Sequence, residues 1–315
     1  MTDLLVLDRD AVFAAVSPAA AIEAVHEAFL AHHRGEWVMP SKVYLQAQPN
    51  GDFRAMPARG GDLAMLKWIS SFPSNAGRGL PSVQGVVIVN DVETSTPLML
   101  LDASAVTALR TGAVAAIAAR ALAPADARTV GVIGCGVNGA WAARCLATAG
   151  YGDGVCCDPR ADVAGALAEE LGWRTGSRID ALQCDIVCCV TPGAEVVVDM
   201  GNLRPGLHLN MLGADGPGKA EASLAVPASC AVFCDQWEQA SHGGELTRAV
   251  EAGLITREDV TDLGAVLAGE APGRPGPAAV TLFDSTGLAI QDLAIAAAAL
   301  GIARAGGAQV QTVRL

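Results

Sequence analysis

Residues 130–139 read Val-Gly-Val-Ile-Gly-Cys-Gly-Val-Asn-Gly, an apolar run that turns at once into Gly134-x-Gly136-x-x-Gly139 and opens an Ala-rich helical stretch. In such a loop the first glycine permits a tight strand-to-helix turn and the second lets backbone approach a pyrophosphate. The third lets helix and strand pack closely, and the phosphates rest on the helix N-terminus. Glycine is common in this chain, 35 residues of 315, so the spacing by itself proves little. The context supplies the rest: a second apolar run, Val155-Cys156-Cys157, ends in Asp158, placed as the acid that binds ribose hydroxyls. Strand, glycine turn, helix, strand and acid in that order predict a dinucleotide-binding βαβ unit, with Gly134, Gly136, Val137, Asn138 and Gly139 as its phosphate loop. A carboxylate at Asp158 repels a 2′-phosphate and favours NAD over NADP; Arg160 weakens that preference without reversing it. Thr191, just after the apolar run 186–190, is assigned to the same cofactor site.

From residue 129 onward, apolar runs at 130–133, 154–157, 186–190, 207–212 and 231–234 are interleaved with helical stretches, beginning with those at 138 and 161. Such alternation means βαβ units and a doubly wound parallel sheet, a Rossmann domain of α/β class. The first hundred residues read differently. Residues 10–35 carry helical spacing (Ile22, Val25, Phe29, Leu30), with Ser17 as N-cap and Pro18 at N1. Short apolar runs at 43–45, 51–56, 63–70, 83–90 and 97–101, separated by Pro, Gly and Asn, predict a mixed or antiparallel sheet. A long Ala-rich helix over 104–122 stops at Ala123-Pro124, and a last one runs from 288 to about 305.

The net charge of −12 argues against a nucleic-acid or anionic-membrane partner, so a small anionic substrate must be captured by local Lys or Arg. No apolar stretch reaches the length of a membrane span without a charge or a Gly or Pro cluster interrupting it. The N-terminal ten residues carry acids instead of the basic start of a secretory signal. The nine cysteines lie between Cys135 and Cys234 with no CxxC pair, which predicts buried thiols in a reducing cytoplasm and no metal site.

Four cations sit among apolar neighbours. Lys67, in Leu63-Ala-Met-Leu-Lys-Trp-Ile-Ser70, shares a strand face with Met65 and Ile69, so it either snorkels from an edge or is held in a pocket. Lys42, Arg54 and Arg110 carry the same ambiguity. Asp215 follows a strand-like run in a glycine-rich loop, at the strand end where doubly wound sheets bind ligands; a turn-stabilising Asp before Gly is the other reading.

The chain resembles the ornithine cyclodeaminase and mu-crystallin family over nearly its whole length. The matching stretches are Leu66-Lys-Trp-Ile-Ser-Ser-Phe-Pro-Ser-Asn75, Gly79-Leu-Pro-Ser82, Leu109-Arg-Thr-Gly-Ala113, Gly134-Cys-Gly136, Gly213-Ala-Asp-Gly-Pro-Gly-Lys-Ala-Glu221 and Phe283-Asp-Ser-Thr-Gly287. The resemblance implies an α+β dimerisation and substrate domain from residues 1–112 and 288–315, and an NAD-binding Rossmann domain from 113–287. It also implies a homodimer joined through the first domain's sheet and an active site in the cleft between domains. By position, Lys67 resembles the family's active-site lysine, Lys42 and Arg110 its ligands for the substrate carboxylate, and Asp215 the acid that contacts the substrate amine. Ser82 and Thr111 match positions near substrate or cofactor phosphates, and Ser285, Thr286 and Gly287 the strand end beside the nicotinamide. Carboxylate and ammonium clamps of this kind would fix the amino acid's Cα hydrogen toward the nicotinamide. A lysine among apolar groups and other cations should have a lowered pKa, as an acid or base requires.

What the resemblance leaves open is the step after hydride leaves Cα for NAD. Dehydrogenases hydrolyse the resulting imine to a 2-oxo acid and ammonia, cyclodeaminases close a ring and return the hydride, and ketimine reductases only reduce. Cyclodeaminases of the family place a glutamate near the position two residues before Met56-Pro57, to hold a distal ammonium. Here Arg54 stands there and would repel it, although Asp52 on the same strand face could restore the negative charge. The expectation is therefore an L-amino acid dehydrogenase of the alanine dehydrogenase kind, acting on a small amino acid or, in reverse, a 2-oxo or imino acid.

Overall fold

The computed structural model describes residues 3–193, 195–216 and 218–314; Met1 and Thr2 of the N-terminal reading, Ala194, Pro217 of the Gly213 to Glu221 motif and Leu315 lie outside the described residues. Two compact units divide the chain: Met1–Arg110 with Leu288–Leu315, and Thr111–Gly287.

The first unit is built on a seven-stranded mixed sheet in the order Gln311–Arg314, Asp3–Leu7, Pro97–Asp102, Val83–Asp91, Leu63–Ser71, Gly51–Gly60, Val43–Ala47. Asp3–Leu7 and Pro97–Asp102 run parallel, and the remaining neighbours are antiparallel. Two of these strands, Asp3–Leu7 and Gln311–Arg314, were not anticipated from the sequence; each is four or five residues long, Gln311–Arg314 pairing with Asp3–Leu7, which in turn pairs with Pro97–Asp102. The helical pattern at 10–35 proves to be two helices, Arg9–Ala15 and Pro18–His33, bent by 83° at the break. The reason is Pro18, whose ring forces the residue before it out of helical conformation; Ser17 is extended and its side chain accepts the Ala20 N–H. The last helix, Ala289–Arg304, packs on Pro18–His33 and on the strands Gly51–Gly60 and Leu63–Ser71. Along Leu63–Ser71 the pleat sends Met65, Lys67 and Ile69 to the buried face, and Leu66 and Trp68 to the other.

The second unit is an eight-stranded, wholly parallel sheet in the order Val260–Asp262, Ala231–Cys234, Thr281–Asp284, His208–Met211, Ile186–Cys189, Thr129–Ile133, Asp153–Cys157, Arg174–Thr175. The chain winds outward from Thr129–Ile133 to Arg174–Thr175 and then restarts beside Thr129–Ile133 with Ile186–Cys189. That reversal is a topological switch point, where the ends of neighbouring strands diverge and leave a crevice. The strands are buried on both faces, as parallel strands covered by helices must be.

By length and apolarity alone the helix Ala103–Leu122 would span a membrane. It carries Arg110 in its middle, and most of it is buried, as in the core helix of a folded protein. All nine cysteines are free thiols, and seven of them are buried.

Candidate functional site

The dinucleotide half-site forms where the strands of the second unit end. Gly134 leaves the strand Thr129–Ile133 with φ +96, a conformation L side chains rarely adopt, and a Cβ there would sit 2.6 Å from the Val190 carbonyl oxygen. A Cβ on Gly139 would collide with the Gly134 carbonyl oxygen, so helix and turn can close on each other only at glycine. Gly136 is the N-cap of helix Val137–Thr148 with no side chain capping it, and around its Cα the nearest group is the Arg160 guanidinium, 3.8 Å from a built Cβ. The first-turn N–H groups, beginning with those of Val137 and Asn138, thus face an open approach with the helix dipole behind them, the setting that holds a pyrophosphate. These features fit a dinucleotide.

Asp158 ends the neighbouring strand with its side chain only 3% exposed. Its carboxylate accepts the Cys135 N–H at 2.8 Å and three bonds from Arg160, from the backbone N–H, Nε and Nη2, each at 2.9 Å. The Arg160 guanidinium holds its carboxyl below the ordinary range. Arg160 is in turn folded onto Asp158, an arrangement in which its charge is already matched and less available to a 2′-phosphate.

Two further strand ends are tied down by buried acids that the sequence reading passed over. Asp235 accepts hydrogen bonds from Ser285 Oγ (3.1 Å), Thr286 Oγ1 (3.2 Å) and the Gly287 N–H (2.8 Å), which holds the turn after Thr281–Asp284 in one conformation. Glu221 accepts Thr191 N–H and Oγ1, both at 2.7 Å, and the Gly213 N–H at 2.8 Å, binding the loops after Ile186–Cys189 and His208–Met211 together. Burial pushes the Glu221 carboxyl up against those bonds, and Glu245, which accepts the Glu221 and Ala222 N–H groups, up to about 7. Glu221 stood at the end of a recognised motif; Asp235 followed a predicted strand. Asp215, in the loop between Gly213 and Glu221, is partly exposed and pairs with Lys219 at 2.6 Å.

The first unit holds a cluster of cations. Lys67 is 1% exposed, and its Nζ lies 2.6 Å from Asp292 Oδ2 and donates to Thr107 Oγ1 at 3.3 Å. Arg110 places Nε 3.7 Å from Asp292 Oδ1, and that Nε is buried with no hydrogen-bond acceptor among the described residues. Arg54, on the adjacent strand, pairs with Asp52 at 2.6 Å and lies over the Tyr44 ring, 5.4 Å from its centroid. Burial lowers the Lys67 pKa from 10.5 to about 8; Arg110 and Arg54 lower it as well, while Asp292 opposes the shift. Lys67 is therefore held in a pocket and does not snorkel. Lys42 is half-buried at the start of strand Val43–Ala47, the neighbour of Gly51–Gly60 that carries Arg54. Ser82 is half-buried, its carbonyl accepting the Phe72 N–H, and Thr111 is buried in helix Ala103–Leu122. Asp292 was missed; the available signal was a lone acid at a buried position of an otherwise apolar helix. Among the described residues no group of three or more His, Cys, Asp or Glu is arranged to hold a metal ion.

Three cations, Arg54, Lys67 and Arg110, thus face two carboxylates, Asp52 and Asp292. One positive charge remains when Lys67 is protonated, which suits a single carboxylate. The ornithine cyclodeaminase/mu-crystallin family model matches residues 3–151 and 174–304. The chain is 39% identical over 301 residues to alanine dehydrogenase from Archaeoglobus fulgidus, with 93% of each chain covered. It is 33% identical over 246 residues to iminosuccinate reductase from Paracoccus denitrificans, covering 76% of this chain and 77% of the relative. A solved archaeal alanine dehydrogenase dimer with bound NAD superposes with a TM-score of 0.94 at 37% identity, covering 100% of both chains.

Proposed function

The chain belongs to the ornithine cyclodeaminase/mu-crystallin family, and from that membership we propose that it is an NAD-dependent L-amino acid dehydrogenase of the alanine dehydrogenase kind, reversible to reductive amination of a small 2-oxo acid. The observation that carries the reading is the cluster around Lys67: a buried amine held by Asp292 and flanked by two guanidiniums, with charge for one carboxylate more. Arg110 and Lys42, with Arg54 beside them, bind the α-carboxylate, and Asp215 receives the substrate amine. Lys67, as the neutral amine, takes the proton that the substrate nitrogen gives up when the C=N bond forms, and later delivers protons as ammonia leaves. NAD, when bound through Gly134, Gly136, Val137, Asn138, Gly139, Asp158, Thr111, Thr191 and the Ser285–Gly287 turn, accepts the hydride from Cα. Water adds to the imine carbon, and its collapse yields the 2-oxo acid and ammonia.

Arg54 separates this reading from ring closure. A cyclodeaminase needs a negative group for a distal ammonium, and here Asp52 is engaged by Arg54 and Asp292 by Lys67, each at 2.6 Å. The similarity to iminosuccinate reductase supports the reductive direction as a second reading, in which imine is taken up ready-made. A homodimer is supported by the solved dimeric relative and by the exposed apolar side chains Val43, Leu45, Leu66, Trp68, Val83 and Val86 on neighbouring strands of the first unit. The free, mostly buried cysteines suit a reducing cytoplasm.

Purified protein incubated with NAD and a panel of L-amino acids should form NADH with alanine or another small substrate, and consume NADH with the matching 2-oxo acid plus ammonium. Conversion of ornithine to proline without net NADH would sink the dehydrogenase reading, and consumption of NADH by an imino acid but not by a 2-oxo acid with ammonium would favour the second.

A further inference from the structure

Asp292 has no part in the roles assigned above, and yet it is the group nearest to Lys67. It lies in the first turn of Ala289–Arg304, where the helix dipole favours negative charge, and both it and Lys67 are essentially sealed from solvent. The groups that face Lys67 come from three elements: Asp292 from the last helix, Arg110 and Thr107 from Ala103–Leu122, and Arg54, itself paired with Asp52, from Gly51–Gly60. Only one of these, Asp292, favours the ammonium form by its charge; the two guanidiniums oppose it.

We infer that Asp292 is a positioning residue, the counter-ion that fixes where the Lys67 amine sits and sets the pH at which it gives up its proton. Two cations and burial would otherwise lower the pKa of Lys67 further, leaving a weaker base toward substrate and less of the acid form for the return reaction. With the carboxylate 2.6 Å away the amine stays close to balance between its two forms. The ion pair also draws the amine toward the last helix, so its position depends on a residue far along the chain.

The consequence for catalysis rests on the proposed role of Lys67, but the inference can be read without turnover. The chain has only three lysines, Lys42, Lys67 and Lys219, so 13Cε-labelled lysine gives three side-chain signals, and Lys67→Met identifies the one that matters. Lys67 should titrate near 8 in the unsubstituted protein, and at least about one pH unit lower in Asp292→Asn. A Lys67 signal in Asp292→Asn that titrates with the unsubstituted protein overturns the inference. Should Asp292→Asn fail to fold, Asp292→Glu decides: the charge is kept and moved by one methylene, so Lys67 should titrate within about half a unit of its original value while kcat falls about tenfold. An unchanged kcat, or a titration displaced by a unit or more, overturns it there. Absence of amino acid turnover in the unsubstituted protein would remove the proposed reaction and leave the titration standing, so the two failures are distinguishable.

Discussion

Replacing Asp158 by Ala is expected to reverse the cofactor preference, because this one carboxylate does three separable things. It closes the glycine turn by accepting the Cys135 N–H, it neutralises Arg160 through Nε and Nη2, and in the proposed cofactor site it would be the acceptor for the ribose hydroxyls. Loss of a charged acceptor for the ribose hydroxyls costs about 1.5–3 kcal/mol, which is about a 10- to 150-fold weaker NAD complex. Arg160, released, becomes a donor for a 2′-phosphate, and the repulsion by Asp158 is gone, so NADP should bind about tenfold more tightly. The ratio of the two affinities should therefore move by about 100- to 1,500-fold. Fluorescence titrations with NADH and NADPH measure both constants directly, and a thermal melt of the same samples reports any loosening of the turn from the orphaned Cys135 N–H. Asp158→Asn separates the parts: it keeps an acceptor for Cys135 but lacks the charge that holds Arg160, so it should retain the melt and still shift the ratio. Equal weakening of both cofactors in Asp158→Ala would refute the reasoning and reduce Asp158 to a support for the loop.

Lys67→Met should lower kcat by at least about 100-fold while NAD affinity stays within about twofold; full activity in this variant would remove Lys67 as the acid or base. Lys67 also makes stability depend on pH. Its folded pKa of about 8 lies below the ordinary 10.5, so between these values the unfolded chain binds more protons and stability rises with pH, by about 3 kcal/mol over the whole window. Denaturant midpoints at pH 7.5 and 10 should show that rise in the unsubstituted protein relative to Lys67→Met, and parallel curves would show that Lys67 is not desolvated as described. Gly139→Ala sets a methyl against the Gly134 carbonyl, so the loop must open; NAD binding should be lost in calorimetry together with a lower melting temperature, and a normal NAD isotherm would contradict the close packing of turn and helix.

Part of this protein was legible from the chain alone because its geometry is local. The glycine turn, the helix it opens and Asp158 fall within one βαβ unit, where residue spacing translates directly into position. Strand alternation likewise showed Lys67 on the face of Met65 and Ile69, since a pleat has a period of two residues whatever surrounds it. Alternation could not say what that face meets. Whether Lys67 reached solvent or was enclosed depended on the return of the last helix, which brings Asp292 to its amine. The same limit hid Asp235 behind the Ser285–Gly287 turn and Glu221 behind Thr191, acids whose partners lie in loops that follow other strands of the sheet. It hid the short strands Asp3–Leu7 and Gln311–Arg314 as well, which pair with each other from opposite ends of the chain, the first pairing with Pro97–Asp102 too.

Sequence by itself thus determined a dinucleotide fold, the family and the candidate residues of its site, because each is written in short-range spacing and motif. Tertiary structure decided which charges are paired. Arg54 is matched by Asp52, Arg160 by Asp158 and Lys67 by Asp292, and the last of these pairs could not be foreseen from spacing. The physical reason is that a buried charge is tolerable only with a counter-charge in contact, and that counter-charge is supplied by whichever element the fold packs there, however remote in the chain.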